Sequence, residues 1–173
     1  RLVIPNKEVR EVYILQIQEW FRQIVLQDTE PVKEWLEALE YGEAEKAEQC
    51  LNGILGNTIS IFDTKSHEKE IFYHGILLGL LRCKSNWLIR SNVESGDGLV
   101  DILIEPEDPD AGIIIELKYA QTFSGLENAC EKALTQIREK RYEERLREDG
   151  REKILAYGMA FYKKRCKVIV QKI

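Results

Sequence analysis

No apolar run in this 173-residue chain approaches the ~20 residues that a membrane-spanning helix needs. The pattern of a signal peptide is missing too, so no membrane partner is expected and the chain reads as cytoplasmic. Cysteine is sparse and scattered. Cys50, Cys83, Cys130 and Cys166 form no CxxC pair, and no histidine stands at zinc-finger spacing. Free thiols in a reducing compartment are expected rather than disulfides or zinc. The phosphate loop GxxxxGK[ST] is absent, with Gly96 and Gly98 read as only opening a strand, and there is no nucleophile elbow and no His-based metalloprotease pair. Proline numbers four, and there is no internal repeat or low-complexity stretch. What remains is the composition of a globular protein large enough for one good-sized domain with a helical extension. The chain begins at Arg1 inside an already patterned stretch, and it reads as a piece of something longer.

The net charge of −5 is unevenly spread. Residues 126–173 carry thirteen Lys or Arg against eight Asp or Glu, whereas residues 1–125 carry twelve against twenty-two. The acidic total speaks against a nucleic-acid partner, but the basic tail can contact phosphates. Solvated helix surface laced with i,i+4 ion pairs is the blander reading of the same charges. No stretch interleaves aromatic and basic residues as a single-strand binder would.

Hydrophobic periodicity predicts the elements. Val9, Val12, Tyr13, Ile17, Trp20, Phe21 and Ile24 give a helical stripe over 7–26. Thr29, Glu30 and Pro31 open a second helix that runs to about Glu40 and ends at Gly42. A third spans 43–56 with Ala47, Cys50, Leu51, Ile54 and Leu55 inward. A fourth runs from near Ser66 to about Lys84. Strands follow at 87–94 and 98–104, then at 113–118. A long helix capped by Ser124 runs from 125 to 149, where Gly150 stops it. Strands at 154–161 and 165–173, joined by the basic turn Tyr162–Arg165, complete the order helix, three strands, helix, two strands.

The chemistry concentrates in the hairpin GDGLVDILI–EPEDPDAG–IIIELKY. Pro106, Pro109 and Gly112 mark its turn. Folding it between residues 108 and 109 sets Asp101 opposite Glu116, with Cβ atoms roughly 5 Å apart. Lys118 points to the same face as Glu116, and Leu99 falls opposite Lys118. Two adjacent carboxylates are unfavourable unless a cation lies between them or one is protonated. Mg²⁺ or Mn²⁺, held by these acids and a backbone carbonyl, satisfies that need. Ile113, Ile114 and Ile115 suggest a strand covered on both faces, so charges at its end need partners. The alternative is a surface hairpin with an acid pair and a lysine ion pair. Glu70 and His74 lie on the stripe of Tyr73, Leu77, Leu78 and Leu81. Glu70 reads equally as a solvated helix start or a neighbour of the metal site, and His74 as a satisfied core histidine before a ligand. On the helix at 125–149, Ala129, Cys130, Ala133, Leu134 and Ile137 face inward. Gln136, at the stripe's edge, reaches either solvent or the site, and Lys140 and Tyr142 are candidates to approach a substrate.

Glu70, Val100-Asp101, Glu116–Lys118 and Gln136, taken together, resemble the PD-(D/E)XK nuclease superfamily, whose core has this order of elements. EIFYHGILLGLL, ESGDGLVDILI, IIIELKYA, ALTQIREKRY and YGMAFYKK resemble successive blocks of one bacterial family in it, in which this domain follows an AAA-ATPase-like domain. RLVIPNKEVREVY resembles the junction after that ATPase. The resemblance implies an α/β, restriction-endonuclease-like fold: a central mixed sheet flanked by helices, spanning 66–173. Residues 1–62 are then a helical extension from the missing upstream domain. It implies metal ligation by Asp101, Glu116, the Leu117 carbonyl and Glu70, with Lys118 as catalytic lysine and Gln136 as a supporting residue. Val100 stands where the superfamily has proline, and Leu99 where related sequences carry a basic residue. The implied function is Mg²⁺- or Mn²⁺-dependent hydrolysis of phosphodiester bonds, foremost in DNA. The alternatives are a catalytically silent module that binds DNA or a partner protein, and a homodimerisation domain with helices 7–56 as interface.

Overall fold

The structure is a computed structural model that describes residues 11, 15, 30–58 and 69–173. The helix expected at 7–26 lies outside these residues, except that Glu11 and Leu15 are helical. The described elements are α1 (Glu30–Tyr41), α2 (Ala44–Thr58), α3 (Lys69–Leu81), β1 (Leu88–Ser95), β2 (Gly98–Glu105), β3 (Ala111–Tyr119), α4 (Leu126–Glu139), α5 (Glu144–Glu148), β4 (Lys153–Tyr162) and β5 (Arg165–Lys172). Among them is the expected run of one helix, three strands, helix and two strands. Gly42 closes α1 with a left-handed φ of 77°, a conformation that glycine adopts without a Cβ clash.

The strands form one mixed sheet in the order β1-β2-β3-β4-β5. Both hairpins of β1 to β3 are antiparallel, β3 and β4 are parallel, and β4 and β5 are antiparallel. A parallel pair needs a crossover, which α4 and α5 supply. β3 is thus the central strand. Ile113, Ile114 and Ile115 are buried on alternate faces, as a continuous apolar run requires when both faces are covered.

Each face has its own core. Ile102, Ile104, Ile113, Ile115 and Leu117 pack with Trp35, Leu39, Leu51, Leu55 and the apolar length of α3. Val100, Leu103 and Ile114 pack on the other side with Leu134, Ile137, Tyr142 and Leu146. The two short helices are tied to the first face by polar contacts as well. The Tyr157 hydroxyl donates to the Leu39 carbonyl at 2.7 Å, and Asn52 exchanges hydrogen bonds with the Cys166 backbone at 2.9 and 3.0 Å. α4 lies so close to β4 that a Cβ at Gly158 would come within 2.4 Å of the Cys130 carbonyl. The four cysteines are free.

The single helix expected over 125–149 is broken. α4 ends at Glu139, Arg141 takes a φ of 53°, and α5 restarts at Glu144. The break turns Tyr142 into the second core, where it is 2% exposed. It also presents the Lys140 carbonyl to the Asp97 amide of the β1–β2 turn at 2.8 Å. Gly96, at φ 53°, forms that turn because a Cβ there would sit 2.1 Å from the Lys140 carbonyl. Gly96 therefore does more than open a strand. Ser124 is not the cap of α4. It lies in a 3-10 turn, Phe123–Gly125, and Gly125 occupies the cap position with no side-chain hydrogen bond.

Candidate active site

The β2–β3 register is the expected one, pairing Ile102 with Ile115, Leu103 with Ile114 and Ile104 with Ile113. The ladder stops there, one step short of Asp101 and Glu116. Beyond it β2 follows β1, pairing Val100 with Val93 and Leu99 with Glu94. Leu99 is consequently not opposite Lys118, and it points to solvent at 55% exposure. Side-chain alternation also breaks at Asp101, since Val100 and Ile102 lie two residues apart yet enter different cores. Across the sheet edge, Asn92 of β1 adopts a φ of 51°. The sheet forks at the two acids.

A fork leaves backbone amides without ladder partners, and such groups need others when buried. Asp101 Oδ2 accepts the Leu117 amide at 2.8 Å. The strand end at Tyr119 is held similarly, its amide donating to Glu70 Oε1 at 3.1 Å. Glu70 sits at the start of α3, so the helix and the central strand are joined through this carboxylate. His74, one turn further along α3, is 4% exposed with Nε2 3.0 Å from the Asp101 carbonyl and 3.2 Å from Ser91 Oγ. Its ring is engaged by backbone and hydroxyl, as a core histidine would be.

Glu116 is 2% exposed. Its Oε1 accepts Lys118 Nζ at 2.8 Å, and its Oε2 is buried without a hydrogen bond. Burial first, and then the Asp101 charge, push its carboxyl up from 4.5 to about 7, against the opposing pull of Lys118. Desolvation lowers the Lys118 ammonium, but its hydrogen bond to Glu116 and the charges of Glu116, Asp101 and Glu70 outweigh this and raise it overall. Lys118 therefore keeps its proton at neutral pH.

Glu70, His74, Asn92, Asp101, Leu117 and Lys118 line one small cavity of about 120 Å³. Four of the six site residues expected from sequence thus meet at one place, and Glu116 joins them through Lys118. Gln136 does not line this cavity. Its amide donates to the Tyr142 hydroxyl at 3.1 Å, and Tyr142 feels the charges of Glu116, Asp101 and Lys118. Gln136 thus stands behind Tyr142, and Tyr142, one of two candidates to approach a substrate, is a buried support. Asn92 was missed, although an asparagine inside a strand pattern is a signal for a left-handed residue. Tyr119 and Lys69 were also missed. Lys69 Nζ lies 3.2 Å from the Tyr119 hydroxyl and 4.3 Å from its ring centre, beside the Glu70 bond.

The donor set is made of hard oxygens: Asp101, Glu116 and the Leu117 carbonyl, with Glu70 nearby. Among the described residues no three His, Cys, Asp or Glu side chains converge as a ready ion cage. A cation here would rest on two carboxylates, a carbonyl and water, which is the habit of Mg²⁺. The buried, unpartnered Glu116 Oε2 needs a proton or a cation, so the residues present fit such an ion.

The model of the PD-(D/E)XK nuclease superfamily matches residues 68–171, and the chain belongs to that superfamily. The five-stranded mixed sheet flanked by helices is consistent with a restriction-endonuclease-like fold. Comparison with curated proteins gives no match.

Proposed function

We propose that this member of the PD-(D/E)XK nuclease superfamily is a metal-dependent phosphodiesterase acting on nucleic acid, with DNA as its first substrate. The observation that carries the reading is Glu116: a carboxylate nine-tenths buried and more, one oxygen unpartnered, beside a second carboxylate and a lysine. A structural core does not need two facing acids. A Mg²⁺ or Mn²⁺ ion held by Asp101, Glu116 and the Leu117 carbonyl, with Glu70 at its side, would supply Lewis-acid polarisation of a phosphoryl oxygen.

The side chains carry the rest. Lys118 keeps its positive charge and places it where negative charge grows on the phosphate. Asp101 fixes the Leu117 amide and so sets the angle at which the strand presents Glu116 and Lys118. Glu70 ties Tyr119 to α3 and closes one wall of the cavity. Gln136 holds the Tyr142 hydroxyl behind the acids and keeps water from that side. In the same proposal, residues 66–173 are the nuclease unit and residues 1–62 join it to an upstream ATPase-like domain.

Plasmid DNA incubated with Mg²⁺ or Mn²⁺ tests the reading. Cleavage by the wild type that disappears in Asp101→Ala and Lys118→Ala supports it. DNA binding without cleavage that depends on these residues, in this chain and in the full-length protein, would instead establish a silent binding module.

A further inference from the structure

The β4–β5 turn, read from sequence only as a basic connection, has chemistry that the proposed reaction leaves unused. Lys163, Lys164, Arg165 and Lys167 line an open groove of about 620 Å³ together with Glu48, and Glu127 adds its charge near Lys167. Glu48 is already engaged, accepting Lys167 Nζ at 3.1 Å and the Val168 amide at 3.0 Å. Lys164 Nζ is anchored on the Gly56 carbonyl at 2.7 Å. Among the described residues no carboxylate pairs with Lys163 or Arg165. Two aromatic rings share the groove. Tyr162 lies under Lys163 Nζ at 5.1 Å, and Phe123, on the connection leaving β3, is 65% exposed. A phenyl ring left in water among cations is a poor structural element and a good stacking platform.

The groove and the acidic site lie on either side of one buried ring, Tyr73. The Tyr73 hydroxyl donates to the Lys163 carbonyl, and the Tyr73 ring stacks on Tyr119 with centroids 6.1 Å apart. Tyr119 in turn carries the Glu70 bond and lies beneath Lys69. Lys118 and Lys163 thus stand at the same end of the sheet, where β3 and β4 both finish. Duplex bases are already stacked on each other and have no use for Phe123, whereas unpaired bases do.

We propose that this groove binds a single-stranded stretch of nucleic acid, with a base stacked on Phe123 and phosphates on Lys163 and Arg165. The direction of that strand toward Asp101, Glu116 and Lys118 rests on the nuclease reading. The binding itself does not, so it is measured in EDTA, where no cleavage occurs. Anisotropy with labelled oligothymidine and oligouridine of about 12 nucleotides, a length in the range that single-strand binders cover, separates DNA from RNA. A duplex of equal length, heparin and anionic vesicles serve as rival ligands.

The expected result is tighter binding of the single strand than of the duplex, weakened roughly 5- to 150-fold by Phe123→Ala, as loss of one stacked base predicts. Phe123→Trp should retain binding and show quenched indole fluorescence. The double variant Lys163→Ala/Arg165→Ala should lower the salt slope by about 1.4 for two lost phosphate contacts. Equal binding by wild type and Phe123→Ala overturns the proposal. So does preference for duplex, heparin or vesicles, or no binding of any strand by the wild type. Loss of binding in Phe123→Ala with an unchanged melting temperature, in a protein that never cuts, upholds the groove while removing the nuclease reading.

Discussion

Replacing Glu116 by Gln should stabilise the metal-free protein above neutral pH, by an amount that burial sets. The native carboxyl sits at about 7 against 4.5 for the ordinary group, mainly because burial penalises its charge and Asp101 adds a second negative charge. As pH rises past 4.5 the unfolded chain releases this proton while the native chain holds it. Proton binding thus contributes stability that is whole below 4.5 and is lost as pH climbs through 7. At roughly 1.4 kcal/mol per pH unit, the gap amounts to about 3 kcal/mol. The pull of Lys118 is already inside that difference. Gln resembles the protonated acid in shape and carries no charge, so the variant escapes the loss.

Urea melts in EDTA at pH 5 and pH 8 give the measurement. Near pH 5 the two proteins should differ by less than about 1 kcal/mol. At pH 8 the variant should lead by about 2–3 kcal/mol, a melting-point gain of roughly 5–10 °C for a chain of this size. Mn²⁺ should then reverse the order, because a ligand that binds only the native wild type stabilises only that protein. A variant less stable than wild type at pH 8, or a difference flat across pH, would refute the claim that Glu116 is a buried charge waiting for a partner.

Loading with Mg²⁺ at pH 7 should release close to half a proton per site, seen as a buffer-dependent heat in calorimetry, because Glu116 is raised to about 7 in the free protein and must be ionised to ligate. Lys118→Met should retain Mn²⁺ binding but lose at least ~100-fold in cleavage rate, whereas Asp101→Ala should lose both. Tyr142→Phe removes the Gln136 hydrogen bond of 3.1 Å and should destabilise by about 1 kcal/mol, with Gln136→Ala adding little on top in a double-mutant cycle. Gly158→Ala forces a Cβ to within 2.4 Å of the Cys130 carbonyl, and denaturant melts should show a loss of about 1–3 kcal/mol as α4 is pushed from β4.

Periodicity was a good guide wherever an element's own residues decide it. Ala129, Cys130, Ala133, Leu134 and Ile137 declare the buried face of α4, and Ile113–Ile115 declare a covered strand. It failed where a distant partner decides. Nothing local in REKRYEER stops a helix, since every residue there tolerates one. The chain breaks at Arg141 because Tyr142 finds a place in the core beside Gly98, where a Cβ would meet its hydroxyl at 3.1 Å, and because the Lys140 carbonyl is needed by the Asp97 amide. The groove at the β4–β5 turn was invisible for the same reason. Its cations come from Lys163–Lys167, its exposed ring from Phe123 some forty residues earlier, and only the parallel pairing of β3 with β4 brings the two together.

The acid pair falls between these cases. Counting across the hairpin puts Asp101 opposite Glu116, and the register obeys that count for Ile102–Ile104. It then yields to the charges themselves. A closed ladder at Asp101 and Glu116 would press two carboxylates together in a site that shuts out water, and repulsion there is strong because little solvent screens it. Opening the fork relieves that contact and frees the Leu117 amide, which Asp101 then binds with its own oxygen. Lys118 neutralises one oxygen of Glu116, and the other remains unpartnered. Asp101, Glu116 and Glu70 together outnumber Lys118, at a cavity of about 120 Å³ lined by Glu70, Asp101 and Lys118. The distortion of the sheet and the affinity for a cation therefore have one cause, and a variant that removes the charge should both close the fork and abolish the site. Hydrogen exchange offers the check: in Glu116→Gln the Asp101 and Leu117 amides should gain protection, while in the wild type they should gain it only when Mn²⁺ is added.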